Sequence, residues 1–209
     1  SALESDERSW VVFESGPFGA TYAHALGIRP HVDRANPILA LIGSPTELTK
    51  LQSDRLESQS GVDLITVDDP ASDVSQLLSR LRASAEIGKT VIGIRTTSRD
   101  GSAPDPLHAS QMLALIIDLA VECADSMQFD GIYASGGDVA FAVLDALGAR
   151  GYEVENEVVP LAVSGKLVGG PHDGLGFATK GGLVGDADAA VECINQLRSR
   201  IRQSEPRIV

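Results

Sequence analysis

Three short segments of this 209-residue chain carry residue types that can hold an anion. In Ser135-Gly136-Gly137-Asp138, two residues without side chains let backbone N–H groups come close to a charged ligand, and the apolar run Val139 to Leu147 makes the turn a helix start. Unpaired amides and the positive end of the helix dipole favour a phosphate there. Asp138 would repel a bare phosphate, so its roles are those of a helix cap, a hydroxyl acceptor or an outer-shell group for Mg²⁺. A plain tight turn capped by Asp138 has the same spelling, and both readings stay open. Gly43-Ser44-Pro45-Thr46-Glu47-Leu48-Thr49 surrounds a second helix start with hydroxyls. Ser44 and Thr46 can hydrogen-bond a phosphate or a base, or Thr46 can be only an N-cap with Thr49 donating back to a carbonyl of the first turn. Thr179-Lys180-Gly181-Gly182 sets one cation beside two positions open to close approach. Lys180 there either neutralises phosphoryl charge or is a solvated lysine at a hairpin end.

Such segments need a scaffold that brings them together. Short β-branched runs alternate with longer segments of 3.6-residue period, the pattern of parallel strands joined by crossover helices. Ile38 to Ile42, Val62 to Val67, Thr90 to Thr96 and Gly131 to Ser135 read as strands. Leu48, Leu51 and Leu56 mark one helix face ending near Gly61. Val74, Leu77, Leu78 and Leu81 mark another, capped by Ser72 or Asp73 and ending at Gly88. A long apolar helix carries Met112, Leu115, Ile116, Leu119 and Cys123, and a last helix carries Val191, Ile194, Leu197 and Ile201. Between them Val158 to Val163, Gly165 to Val168 and Leu175 to Thr179 read as short strands, antiparallel in part. The expected fold is α/β: a three-layer α/β/α domain over residues 37–209, with a largely parallel, Rossmann-like sheet and a short antiparallel C-terminal extension. Residues 1–36 read as the remnant of a preceding domain or a linker, with Trp10 to Glu14 as a strand and Pro17 to Leu26 as a helix. In a doubly wound sheet ligands collect outside the carboxyl ends of the strands. All three candidate turns sit at such ends, so the topology can place them on one rim.

Composition narrows the partners. With 17 Lys+Arg against 29 Asp+Glu the net charge is −12, and a nucleic-acid surface needs the opposite sign. Residues are 43% apolar but only 4% aromatic, so the core is built of Val, Ile, Leu and Ala. Cys123 and Cys193 lie in helical patterns without disulfide or zinc spacing, and no residue set reads as a metal site. Continuous apolar runs stop short of the roughly 18 residues of a membrane span, and residues 1–9 lack a signal-peptide core. The expectation is a cytoplasmic protein with neither membrane nor nucleic acid as partner. The chain opens Ser-Ala rather than Met, as an excised fragment does.

Other signals fall away. Gly88-Lys89-Thr90 resembles the end of a phosphate loop but joins helix to strand. Asp68, Asp69 and Asp73 look like a carboxylate cluster, yet Asp69-Pro70 opens a turn and Asp73 suits a helix cap. No G-x-G-x-x-G opens a helix, and no G-x-S-x-G elbow is present. His172-Asp173 lies in a Gly/Pro-rich turn, where a solvated histidine is the ordinary case, and His24, His31 and His108 show no partner spacing.

Taken in order, Gly43-Ser-Pro-Thr-Glu-Leu-Thr49, Ser135-Gly-Gly-Asp-Val139, Pro160-Leu-Ala-Val and Thr179-Lys-Gly-Gly-Leu-Val-Gly185 resemble the C-terminal nucleotide-binding domain of the four-carbon acid sugar kinases. The resemblance runs from about Ile38 to the last helix. It implies ATP and Mg²⁺ as cofactors and a threonate- or erythronate-like acid as substrate. Carried over by position, it implies nucleotide contacts at Ser44 and Thr46 after Gly43, at Gly136, Gly137, Asp138 and Val139, and at Lys180, Gly181 and Gly182. Val139 stands where the family usually has Thr, so one hydroxyl is lost. The catalytic aspartate and the sugar-acid site of the family belong to an N-terminal domain with an Asp-Asp-x-Thr-Gly motif, which nothing here matches. Ser15-Gly16-Pro17-Phe18-Gly19-Ala20 instead resembles the segment just before the nucleotide domain. The chain is therefore expected to be the ATP half of a split-site kinase, working with an upstream substrate domain of the same natural chain and open to homodimer formation. Half a site should bind nucleotide without turnover. Two rival expectations are a non-catalytic nucleotide sensor, favoured by Val139, and an unrelated α/β enzyme holding a phosphorylated sugar.

Overall fold

A computed structural model describes residues 36–97 and 105–204. The strand and helix expected within residues 1–35 lie outside the described residues. Seven strands form one mixed sheet in the order β2-β3-β1-β4-β7-β6-β5. They are β1 Ile38–Ile42, β2 Val62–Val67, β3 Val91–Thr96, β4 Gly131–Ser135, β5 Gly151–Val159, β6 Ala162–Val168 and β7 Gly176–Lys180. β2, β3, β1, β4 and β7 are parallel; β6 runs antiparallel to β7, and β5 antiparallel to β6. The helices are α1 Glu47–Glu57, α2 Val74–Glu86, α3 Pro106–Ser126, α4 Gly137–Ala146 and α5 Ala189–Ser204. This is the three-layer α/β/α architecture expected, with the antiparallel strands β6 and β5 added at the β7 edge of the parallel core.

Strand alternation sorts the core into two layers. Leu39, Leu41, Ile92, Ile94, Ile132, Ala134 and Phe177 pack under α2, α3 and α4. Ile38, Ala40, Ile42, Val91, Tyr133 and Ala178 pack under α1 and α5. Residues one apart on a strand face opposite sides, so β-branched and aliphatic runs without polar interruption are what a doubly covered strand requires. Two consequences matter for the site. First, neighbouring β1 and β4 send their helices to opposite faces, α1 to one and α4 to the other, which opens a crevice at their carboxyl ends. Second, the register aligns Ile42 with Ser135 and Ser135 with Lys180, so β1, β4 and β7 end level.

The tail departs from expectation in one place. Val158 to Val163 is not one strand. Pro160 and Leu161 turn the chain between β5 and β6, with Leu161 at φ 68. Proline cannot donate to a ladder, and a leucine in the left-handed region is a rare turn residue, so no glycine marked the corner. β5 is an exposed edge strand carrying Glu153, Glu155 and Glu157, and it lacks the buried alternation by which strands are read. Among the described residues α3 is long and apolar enough to cross a membrane, with a mean hydropathy of 1.4. Here its Met112, Leu115, Ile116, Leu119, Ala120 and Cys123 are buried in the core.

Candidate functional site

The level ends of β1, β4 and β7 put their turns side by side. The ladder continues one step beyond the strands: Gly43 N–H donates to Ser135 O at 3.2 Å and Gly136 N–H to Lys180 O at 3.0 Å. The three glycine-bearing segments therefore converge on one rim.

At the β1 end, Thr46 caps α1, its hydroxyl accepting from Thr49 N–H at 3.1 Å. The same hydroxyl donates to Gly182 O at 2.8 Å, and the Thr49 hydroxyl donates to that carbonyl at 2.9 Å. Thr49 thus reaches across to the loop after β7 rather than back into its own turn, as the capping alternative supposed. One helical turn on, Gln52 Nε2 donates to Val184 O at 2.9 Å and Asp186 O at 2.6 Å. Thr46, Thr49 and Gln52, three residues apart, form a stripe that holds the 181–186 loop against α1. Ser44 is different. Its hydroxyl reaches only Thr46 Oγ1, at 3.4 Å, the long limit of a hydrogen bond. Of the two candidate hydroxyls, Thr46 is committed to the fold and Ser44 makes only that long bond. Close approach here depends on glycine: a Cβ on Gly182 would lie 2.2 Å from Ser44 Oγ.

At the β4 end, Gly136 is the N-cap of α4 at φ 112, ψ 131, a conformation suited to glycine, and it has no side-chain cap. Asp138 lies in the first turn of α4 and is exposed rather than capping it. The first-turn amides are therefore open to an external acceptor. Gly137 is exposed, and a Cβ there would meet nothing within 4 Å. Val139 is buried and packs on Gly43, where any Cβ would come within 2.4 Å of Val139 Cγ2.

Lys180 is not the solvated hairpin lysine of the alternative reading. It is 2% exposed, on the α1/α5 side of the sheet with Ala178, and its ammonium donates to Gly181 O at 3.0 Å. Burial pushes its pKa down, the nearby Cys193 acting weakly the other way. Burial likewise raises Cys193 to about 11. On the same side, Ser135 Oγ, Tyr133 OH and Gln52 Oε1 are buried without a hydrogen-bond partner.

Two openings flank the Gly43–Thr46 turn. One, about 180 Å³, lies on the α3/α4 side between Pro45, Met112, Ile116 and Val139, with His108 and Thr97 at its edge. The other, about 200 Å³, lies on the α1 side and includes Ser44, Thr46, Lys50 and Arg95. Arg95 is engaged there by Asp54, by Glu57 at 2.9 Å and by the Thr66 hydroxyl at 2.9 Å. Gln52, the bond from Thr49 to the loop after β7 and the α3 wall are not apparent from the sequence; the i, i+3, i+6 spacing of Thr46, Thr49 and Gln52 is the available signal. The discarded features behave as expected. Asp73 caps α2, accepting from Ser75 N–H at 2.9 Å, and Asp69 accepts from Ala71 N–H at 2.9 Å. His172 lies in the turn before β7, at the far end of the sheet from the crevice. Among the described residues no group of three His, Cys, Asp or Glu could hold a metal.

A doubly wound sheet whose glycine turns meet at the switch point belongs to the class of open α/β domains, in which ligands bind outside the strand ends. The chain belongs to the family of nucleotide-binding C-terminal domains, whose family model matches residues 39–190. It is 35% identical to a D-erythronate kinase of Heliobacterium modesticaldum, over 92% of this chain and 49% of that protein. It is 27% identical to a D-threonate kinase of Salmonella typhimurium, over 71% of this chain and 40% of that one. A crystal structure from Bordetella bronchiseptica, a domain of unknown function described as a domain-swapped dimer with bound citrate, superposes with a TM-score of 0.67. It is 26% identical and covers 78% of this chain and 41% of its own. The chain spans about half the length of the curated relatives it matches.

Proposed function

We propose that this chain is the ATP-holding part of a kinase that phosphorylates a four-carbon sugar acid of the threonate or erythronate type. The observation that carries the proposal is the register that levels β1, β4 and β7 and so sets Gly43, Gly136 and Gly181 in a row at the switch point. In this arrangement the first-turn amides of α4 bind the phosphates, the Ser44 hydroxyl donates to them, and Gly181–Gly182 lets backbone close the cradle. Lys180 would add positive charge from beneath the cradle. The exposed Asp138 carboxylate, in the first turn of α4, would meet the water shell of a nucleotide-bound Mg²⁺, which would supply charge neutralisation at the phosphates. The chain's own work is to bind and orient; the catalytic base and the sugar acid belong to an upstream substrate domain.

That domain needs a landing surface at the same rim. Leu107, Phe141, Leu161 and Leu183 are 63–78% exposed there, at the start of α3, on α4, in the β5–β6 turn and after β7. These exposed apolar side chains at the cleft end of the sheet are the surface we propose for it. A homodimer is a second expected assembly, by likeness to the Bordetella structure. The buried, free thiols of Cys123 and Cys193 suit the reducing cytoplasm. One observation favours a non-catalytic sensor instead: Val139 is packed on Gly43 and offers no hydroxyl to a nucleotide.

Thermal unfolding with Mg-ATP, Mg-ADP and sugar phosphates tests the proposal. A ligand at a hundred times its Kd stabilises the native state by about 2.7 kcal/mol. The expected result is stabilisation by both nucleotides and none by sugar phosphates; no shift at millimolar ATP contradicts the proposal. Adding the upstream domain and assaying ADP release with four-carbon acids separates kinase from sensor.

A further inference from the structure

We propose that Lys180, Ser135 and Tyr133, with Gln52 of α1, enclose an internal site for ordered water on the α1/α5 side of the sheet, behind the rim. Strand pairing puts Val159, Ala162, Lys180, Ser135 and Ile42 in one transverse row across β5, β6, β7, β4 and β1. Ile42 and Ala162 face α1 and α5, so the Lys180 and Ser135 side chains stand next to each other on that face. Tyr133 precedes Ser135 by two residues on β4 and shares the face. Cys193 of α5 lies against the same group. Burial raises the Tyr133 phenol, Cys193 adds to the rise and Ser135 opposes it. An ammonium has three protons, and Lys180 gives one to Gly181 O; among the described residues no carboxylate pairs with it. Tyr133 and Ser135 are 0% exposed and Gln52 1%, yet Tyr133 OH, Ser135 Oγ and Gln52 Oε1 have no partner. Buried polar groups are almost always paired, and ordered water pairs those that no protein group reaches. Ala162 and Ala178, beside Lys180 on this face, end at Cβ and can supply no such bond.

The mixture of groups selects the occupant. A cation is repelled by the ammonium. An anion is drawn to Lys180 but repelled by the amide oxygen of Gln52 and the carbonyl of Gly181. Water suits all of them: it accepts from Lys180, donates to Gln52 Oε1, and exchanges bonds of either sense with the two hydroxyls. The site also has a place in the architecture. Lys180 holds Gly181 O, Gln52 Nε2 holds Val184 O, and Val184 N–H donates to Gly181 O at 3.2 Å, so both side chains grip one turn. Water between them ties that turn to β4, the strand that leads into Gly136 and Gly137. The loop after β7 is thus braced from beneath as well as by the hydroxyls of α1, and Lys180 acts on the rim through this loop.

The assignment concerns groups behind the rim, so it is tested on the 209-residue chain without nucleotide, and its failure leaves the nucleotide reading standing. Tyr133→Phe and Ser135→Ala each remove one oxygen from the wall, and either variant suffices. Urea unfolding reads the sign of the effect. A dry cluster is relieved by losing an unpaired hydroxyl, whereas a hydrated one loses a hydrogen bond. The site predicts a lower urea midpoint for each variant than for the unaltered chain; a midpoint unchanged or raised in either overturns it. Oxygen-17 relaxation dispersion of the solvent then reads the water itself. The unaltered chain should hold long-lived internal water that each variant reduces, and equal dispersion in variant and unaltered chain overturns the site even where the midpoint has fallen.

Discussion

At the scale of single residues the site rests on hydrogen-bond accounting. A hydroxyl has one proton to give, and Thr46 uses its oxygen for the α1 cap and the Gly182 carbonyl, whereas Ser44 gives its proton only to a long bond with Thr46 and is the less committed donor. Nothing in the sequence separates these two residues, because the deciding partner lies 136 positions away. The same holds for Lys180, whose neighbours suggested a hairpin and whose register with Ser135 buries it. That burial has a measurable consequence. The native pKa is below the ordinary 10.5, so between the two values the unfolded chain binds the extra proton and stability rises with pH. Below the native value the buried charge costs a constant amount. The raised thiols and Tyr133 act in the opposite sense above their ordinary values, so the informative quantity is a difference. In urea unfolding across that window, the stability of the unaltered chain minus that of Lys180→Met should increase with pH; a flat difference contradicts a native Lys180 held below its ordinary pKa.

At the scale of elements, most of the fold was legible because doubly covered strands are short uninterrupted apolar runs and core helices repeat every 3.6 residues. β5 was not, since an exposed edge strand needs no buried stripe, and the Pro160-Leu161 corner carries no glycine to announce it. The polar stripe on α1 is legible only in part: Thr46 reads as a cap or phosphate contact and Thr49 as a first-turn donor, whereas Gln52 looks like an ordinary surface residue until the 181–186 loop lies on it. Thr49→Val keeps the shape and removes one donor to Gly182 O, which should cost about 1 kcal/mol in urea unfolding and weaken ATP by loosening the loop. An unchanged midpoint and affinity would show the stripe to be incidental. The helices bearing the thiols give a cleaner check on packing. Cys123 on α3 and Cys193 on α5 are buried, and burial raises their pKa values to about 12 and about 11. A disulfide reagent at pH 8 should label neither until the chain unfolds; rapid labelling of either would mean that its helix does not pack as described.

At the scale of the whole molecule, the sheet order explains why residues spread over most of the chain form one site. β1, β4 and β7 are adjacent although many elements separate them in sequence, and only the crossover topology makes them so. The convergence of three turns was readable in outline, since each sat at a strand end; which helix face each side chain meets was not, as that follows from register. The central claim is that this rim holds the phosphates of a nucleotide on bare backbone at Gly137. Titration calorimetry of Mg-ATP into the unaltered chain and Gly137→Val tests it most directly, because position 137 is exposed and a Cβ there has no neighbour within 4 Å. The account predicts binding to the unaltered chain and none to the variant, with the two unfolding at the same temperature. ATP binding to Gly137→Val at undiminished affinity would contradict it.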